Sequence, residues 1–127
     1  MIPFQTFAHL LDTDLGAPEP KPTSFEGNQL EAAKTLWTSQ DGLVEIGIWE
    51  CTPGRFTASR ETNSEICHIV SGRVSLHDGD GRSREVKAGE LLVLPIGWKG
   101  EWTIHEKTRK LYMLAFQPEA QTLAAGR

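Results

Sequence analysis

A carboxylate, a thiol, an ammonium and a phenol fall at positions that strand alternation brings to one side of a sheet. If Glu65 faces an interior, Cys67 and Ile69 face it too, because successive strand residues point to opposite sides. Lys110, Tyr112 and Leu114 share one face of a later segment. Trp98, Gly100, Trp102 and Ile104 share one face of the segment before it, with Lys99 and Glu101 opposite. Two indoles, a phenol, a thiol, an ammonium and a carboxylate suit a pocket for a small polar or aromatic ligand. Core packing explains the two tryptophans equally well. A buried carboxylate without a partner is costly and drifts towards its protonated form. Glu65 therefore calls for a cation. Lys110 is the first candidate and Arg60 the second; pairing of Glu65 with Lys110, Arg60 or Tyr112 is also its plain structural explanation.

Other chemistry is poorly supplied. Beside Lys110, Cys67 could become a thiolate nucleophile. No imidazole shares its face, which argues against a Cys–His enzyme. Cys51 and Cys67 read as buried thiols, and whether they pair depends on strand neighbours that the sequence leaves open. The four histidines, His9, His68, His77 and His105, are scattered, and His68 falls on the face opposite Glu65. A set made of Glu65 with Glu61 or Glu50 would suit a hard divalent ion. With so few nitrogen or sulfur ligands, no cofactor is the expectation and a divalent metal the lesser alternative.

The elements that must position these residues are strands. Val44, Ile46 and Ile48 alternate up to the turn at Thr52-Pro53-Gly54. Short strands follow at 66–70, 74–77, 84–87, 91–94, 98–105 and 109–116, with a tight hairpin at Asp78-Gly79-Asp80-Gly81. Residues 31–37 have helical propensity but read as a strand beside so much β-structure. Closely spaced short strands with turn residues between them predict an all-β sandwich or barrel of roughly 8–10 strands. The 127 residues suffice for one core. Residues 1–28, with prolines at 18, 20 and 22, read as an extended N-terminal arm; 29–117 as the domain; 118–127 as a polar tail.

The net charge of −4 disfavours nucleic acid and anionic lipid as partners. Apolar runs are only a few residues long, so no membrane span is expected, and no secretory leader is visible. A cytoplasmic location is the resulting expectation.

Two glycine-punctuated stretches carry a family resemblance. Gly54, Glu65 and Gly72 stand in the order of the first cupin motif, and Gly89, Pro95 and Gly97 match the second. The strings Gly47-Ile48-Trp49-Glu50-Cys51-Thr52-Pro53-Gly54, Gly97-Trp98-Lys99-Gly100-Glu101-Trp102 and Arg109-Lys110-Leu111-Tyr112 resemble one cupin subgroup. That subgroup includes the cupin domains of (S)-ureidoglycine aminohydrolase and the ethanolamine-utilization cupin. The resemblance implies an RmlC-like jelly-roll β-barrel and strengthens Lys110 as the partner of Glu65. It also exposes departures. Ser59-Arg60-Glu61-Thr62 occupies the His-x-His region, and Gly100 stands where the second motif has its histidine, leaving room for ligand or marking a bulge.

The expected function is small-molecule binding in a metal-poor barrel pocket lined by Arg60, Glu65, Cys67, Trp98, Gly100, Trp102, Lys110 and Tyr112. One alternative is a metal-dependent enzyme of the ureidoglycine aminohydrolase type acting on a small nitrogen compound. Another is a structural or regulatory dimer module. An exposed strand edge and the prevalence of twofold assembly make a homodimer the expected state.

Overall fold

The structure is a computed structural model and describes residues 1–118. Most of the expected tail, residues 119–127, lies outside the described residues. The fold is all-β, one curled antiparallel sheet with an extended N-terminal arm. Its nine strands are β1 (Glu19–Pro20), β2 (Ser24–Glu26), β3 (Leu30–Thr38), β4 (Val44–Cys51), β5 (Gly54–Ser59), β6 (Asn63–Asp78), β7 (Ser83–Lys87), β8 (Leu91–Leu94) and β9 (Lys99–Phe116). No helix among the described residues is long and apolar enough to cross a membrane.

Two long strands organise everything else. β6 and β9 pair antiparallel along most of their length, with register shifts between Ile69 and Val74. Their two halves carry different flanking strands of one nine-stranded sheet. Residues 108–116 of β9 carry β4, β3 and β1 on one side and the first half of β6, then β8, on the other. Residues 99–104 of β9 carry β5 and β2 on one side and the second half of β6, then β7, on the other. The curl occurs where the register shifts. Gly72 there has φ +95°, and a Cβ on it would collide with Thr108 on β9. The stretches 66–70 and 74–77 are therefore one bulged strand, as are 98–105 and 109–116. The turn residues Ser71-Gly72 kink the strand without ending it. β5 follows the Pro53-Gly54 turn directly and is a strand the sequence reading did not include.

The curled sheet buries one face. Its core takes Trp49, Cys51, Cys67, Ile69, Leu94 and Tyr112 from the first half and Phe56, Val74, Leu76, Val86, Trp102 and Ile104 from the second. Each large side chain removed from water in this way contributes roughly 1.5–3 kcal/mol. The alternation expected on β4 is present, and the structure decides which side is inside. Gly47, Trp49 and Cys51 lie on the inner face, and Ile46 and Ile48 lie on the outer one, paired with Met113 and Leu111.

Candidate functional site

The inner face leaves a cavity of about 660 Å³ at one end, walled by Trp49, Phe56, Trp102, Tyr112, Lys110 and Glu65, with Arg60, Glu61, Lys99 and Lys21 also contributing. β6 delivers Glu65, β9 delivers Trp102, Lys110 and Tyr112, β4 delivers Trp49 and β5 delivers Phe56. The three aromatic rings form a compact set. Phe56 stacks on Trp102 with centroids 5.7 Å apart, and Trp49 meets both edge-on at 5.9 Å.

A buried ion pair sits against these rings. Lys110 Nζ lies 2.7 Å from Glu65 Oε2, with Glu65 4% and Lys110 7% exposed. The same ammonium is 4.3 Å from the Trp49 ring centroid and 4.4 Å from that of Trp102. Two indole faces and one carboxylate thus stabilise the charge that burial opposes. Burial by itself would raise the Glu65 pKa. The charge and hydrogen bond of Lys110, with Arg60 behind, outweigh it and hold the acid below its ordinary value. Arg60 is the looser neighbour, its Nη1 3.8 Å from Glu65 Oε1 and donating to Asn63 Oδ1 at 3.0 Å.

A second cation enters from the arm. Lys21 Nζ lies 2.8 Å from Glu31 Oε1 and 4.3 Å from the Phe56 ring centroid. Glu31 also accepts from Trp49 Nε1 at 2.9 Å. Desolvation pushes the Glu31 pKa up, but the bonds from Lys21 and Trp49 bring it below its ordinary value. On the opposite wall, Tyr112 donates its hydroxyl to Glu45 Oε2 at 3.1 Å. Burial, then Glu45, pushes that phenol up to about 12. Gly47 makes the space for it, since a Cβ there would collide with the Tyr112 hydroxyl.

The cavity gathers Arg60, Glu65, Gly100, Trp102, Lys110 and Tyr112 from the residues proposed for it, and Glu61 from the acids. Two others stand elsewhere. Trp98 precedes β9, so strand parity does not govern it; its indole donates to Asp78 Oδ1 at 2.7 Å beside the β6–β7 hairpin. Cys67 faces inward but packs within the core, and desolvation pushes its thiol up to about 12, far from a nucleophilic thiolate. Gly100 leaves no room for ligand on its Cβ side. A methyl group there would collide with the His77 carbonyl oxygen and the Trp98 ring. Cys51 and Cys67 are free thiols on strands separated by β9. Four of these wall residues were not anticipated: Trp49, Phe56, Lys21 and Lys99, the last expected on the face opposite Trp102. Trp49 follows from alternation once Cys51 is turned inward, and Phe56 from the alternation with Ala58 in β5. Lys21 has no comparable signal.

The metal that cupin barrels commonly hold does not suit these residues. Among the described residues no three His, Cys, Asp or Glu side chains come together. Glu65 already faces an ammonium at hydrogen-bonding distance. Glu50, one of its candidate co-ligands, lies on the outer face with Arg109 Nη2 at 3.6 Å and Lys107 Nζ at 3.8 Å. His68 pairs with Leu91 and Leu111 on that outer face.

Fold and site together define a cupin whose barrel centre is an ion pair boxed by aromatic rings. Residues 38–112 match the EutQ-like cupin domain family, and the chain belongs to that family. Solved structures agree on the fold. The EutQ protein of Clostridium difficile is similar at 22% identity over 69% of each chain, with a TM-score of 0.61. A putative ethanolamine utilization protein Q from Salmonella typhimurium LT2 is similar at 23% identity over 68% of this chain and 69% of its own, with a TM-score of 0.60. A protein of unknown function from Rhizobium leguminosarum bv. viciae 3841 aligns over 91% of this chain and all of its own, at 18% identity and a TM-score of 0.69. No curated protein matches the sequence.

Proposed function

We propose that this chain binds a small organic molecule in its barrel cavity without the help of a metal, and that the Glu65–Lys110 pair is its recognition centre. The observation that carries this reading is the pair itself: a charged couple at the wall of a 660 Å³ cavity, flanked by two indoles. Apolar walls with a few convergent polar groups are the usual make-up of a ligand pocket. Stability alone is a weak reason for such a pair, because well-packed apolar replacements are often nearly neutral. Lys110, Arg60 and Glu65 would take the ligand's polar atoms, while Trp49, Phe56 and Trp102 supply apolar wall. No geometry at the site favours metal-dependent hydrolysis, because the ligand set is missing.

The test is a screen of small organic acids, amides, amines and heteroaromatic compounds, read by tryptophan fluorescence and by thermal shift. Binding should quench Trp49 and Trp102 and raise Tm in the native chain. It should be lost in Lys110→Met. A screen in which no compound moves either signal, or in which the variant binds as well as the parent, would overturn the reading.

A further inference from the structure

The charges of the cavity wall do not cancel. Four cations line it, Lys21, Arg60, Lys99 and Lys110, against two acids, Glu61 and Glu65. Two of the cations are already engaged. Lys110 pairs with Glu65 at 2.7 Å, and Lys21 pairs at 2.8 Å with Glu31, an acid outside the lining. Arg60 and Lys99 remain, with Glu61 the one lining acid left to face them. Among the described residues neither Lys99 nor Glu61 makes an ion pair. The wall therefore carries a surplus of one positive charge, in a chain whose net charge is −4.

The backbone brings these two cations to one end of the cavity. β5 ends at Ser59, which pairs with Lys99 at the start of β9. The next residue, Arg60, donates its N–H to the Trp98 carbonyl at 2.8 Å and accepts from the Gly97 N–H at 2.6 Å. The root of the guanidinium is thus held by the turn that precedes β9. Its head is only partly used. Nε donates to the Ser59 carbonyl at 3.2 Å and Nη1 to Asn63 Oδ1 at 3.0 Å, whereas Nη2 donates to no described residue. Glu65 Oε1 stands 3.8 Å from Nη1, beyond hydrogen-bonding distance. Arg60 is half-buried and Lys99 exposed, so the two mark the open end of the cavity.

On the reading of this cavity as a small-molecule site, we infer that its ligand is an organic carboxylate. Arg60 and Lys99 take the acid group at the mouth, and the body lies inside against Phe56, Trp102 and Leu114. Nη2 of Arg60 has N–H donors to spare, and charge-assisted bonds from arginine to a carboxylate are among the strongest available to a protein. One surplus positive charge balances a monoanion. A phosphate brings up to two negative charges and is commonly held by backbone N–H groups in a loop or at a helix N-terminus, whereas this wall is built from the side chains of paired strands. An ammonium ligand is disfavoured in turn, because the two acids beside the rings, Glu31 and Glu65, each hold a lysine already.

Titrations of the full chain at neutral pH, followed by amide and indole chemical shifts, test this. The probes are propyl, cyclohexyl and phenyl bodies, each carrying a carboxylate, a carboxamide, an aminomethyl group or a phosphate ester. On at least one body the carboxylate should bind ~10-fold or more tightly than the amide, because a hydrogen bond between charged groups outweighs a neutral one. Arg60→Gln should bring that ratio close to one. Lys99→Gln should lower it by about 3-fold, since water screens an exposed charge. This surface change also covers the case where the Arg60 variant fails to fold. Amides or amines that bind as well as the acids would overturn the inference and leave the small-molecule reading standing. So would phosphate esters that bind best, or a carboxylate preference that neither variant alters. Binding by none of the probes would overturn it together with the reading on which it rests.

Discussion

Lys110 and Glu65 meet at 2.7 Å across β9 and β6, and the ammonium is held at the same time over Trp49 and Trp102. The two charges are therefore unequal in their surroundings. Lys110 has the carboxylate and two π-faces, whereas Glu65 has Lys110 and a distant Arg60. Removing the lysine should hurt more than removing both. Lys110→Met alone leaves a buried carboxylate and should cost about 3–5 kcal/mol. The double change Glu65→Leu with Lys110→Met should cost clearly less. Urea denaturation of the parent, both single variants and the double variant measures this; additive losses would count against a buried, coupled pair.

The acid limb of the stability curve should carry the signature of Glu65. Its folded-state pKa lies below the ordinary 4.5, after burial is outweighed by Lys110. A depressed carboxylate contributes its full stability above the unfolded value. That contribution is lost as pH falls through the folded one. Stability should hold from neutrality down to about pH 4.5 and fall below it. Glu65→Gln should flatten part of this fall, the remainder coming from Glu31, which is shifted the same way. Thermal melts between pH 2.5 and 7 would show it, and an unchanged acid limb in the Gln variant would refute the assignment.

Both thiols should be inert in the folded chain. Desolvation drives Cys51 to about 11 and Cys67 to about 12, and each is almost fully buried. At pH 8 an aromatic disulfide reagent should label neither within the lifetime of the native state, and both after denaturation. Rapid native labelling of Cys67 would reopen a role for it as a nucleophile.

Chelation should be without effect on the fold. Lys110 already holds the Glu65 carboxylate at 2.7 Å. Dialysis against a strong chelator should leave Tm where it was, since a structural metal would be coupled to folding. A large drop in Tm, reversed by one divalent ion per chain, would contradict this.

The residues show which parts of the site can be read from sequence. Alternation alone aligns Lys110 with Tyr112 and Glu65 with Cys67, because β6 and β9 are regular on either side of their bulge. Alternation cannot say which side is inside. Ile46 and Ile48 look like core positions by hydropathy, yet Trp49 and Cys51 take that place, because both faces of β4 are apolar. Trp98 fails for a different reason: it sits one residue before its strand, where the Pro95-to-Trp98 turn aims the side chain. Lys21 is beyond any periodicity. It reaches the cavity only because Glu19–Pro20 pairs with β3 and Lys21 N–H bonds to the Gln29 carbonyl at 3.0 Å.

The bulged strands β6 and β9 also govern how the chain comes apart. Each runs through both halves of the curled sheet, so neither half has a complete set of strands by itself. Their pairing joins residues 63–78 to residues 100–116 and closes long loops before any contact compensates the lost chain entropy. The fold should therefore assemble late and as one cooperative unit. Amide hydrogens of Glu65 to Ile69 and of Lys110 to Leu114 should exchange last, at rates set by global unfolding, while those of β1, β2 and β8 open locally.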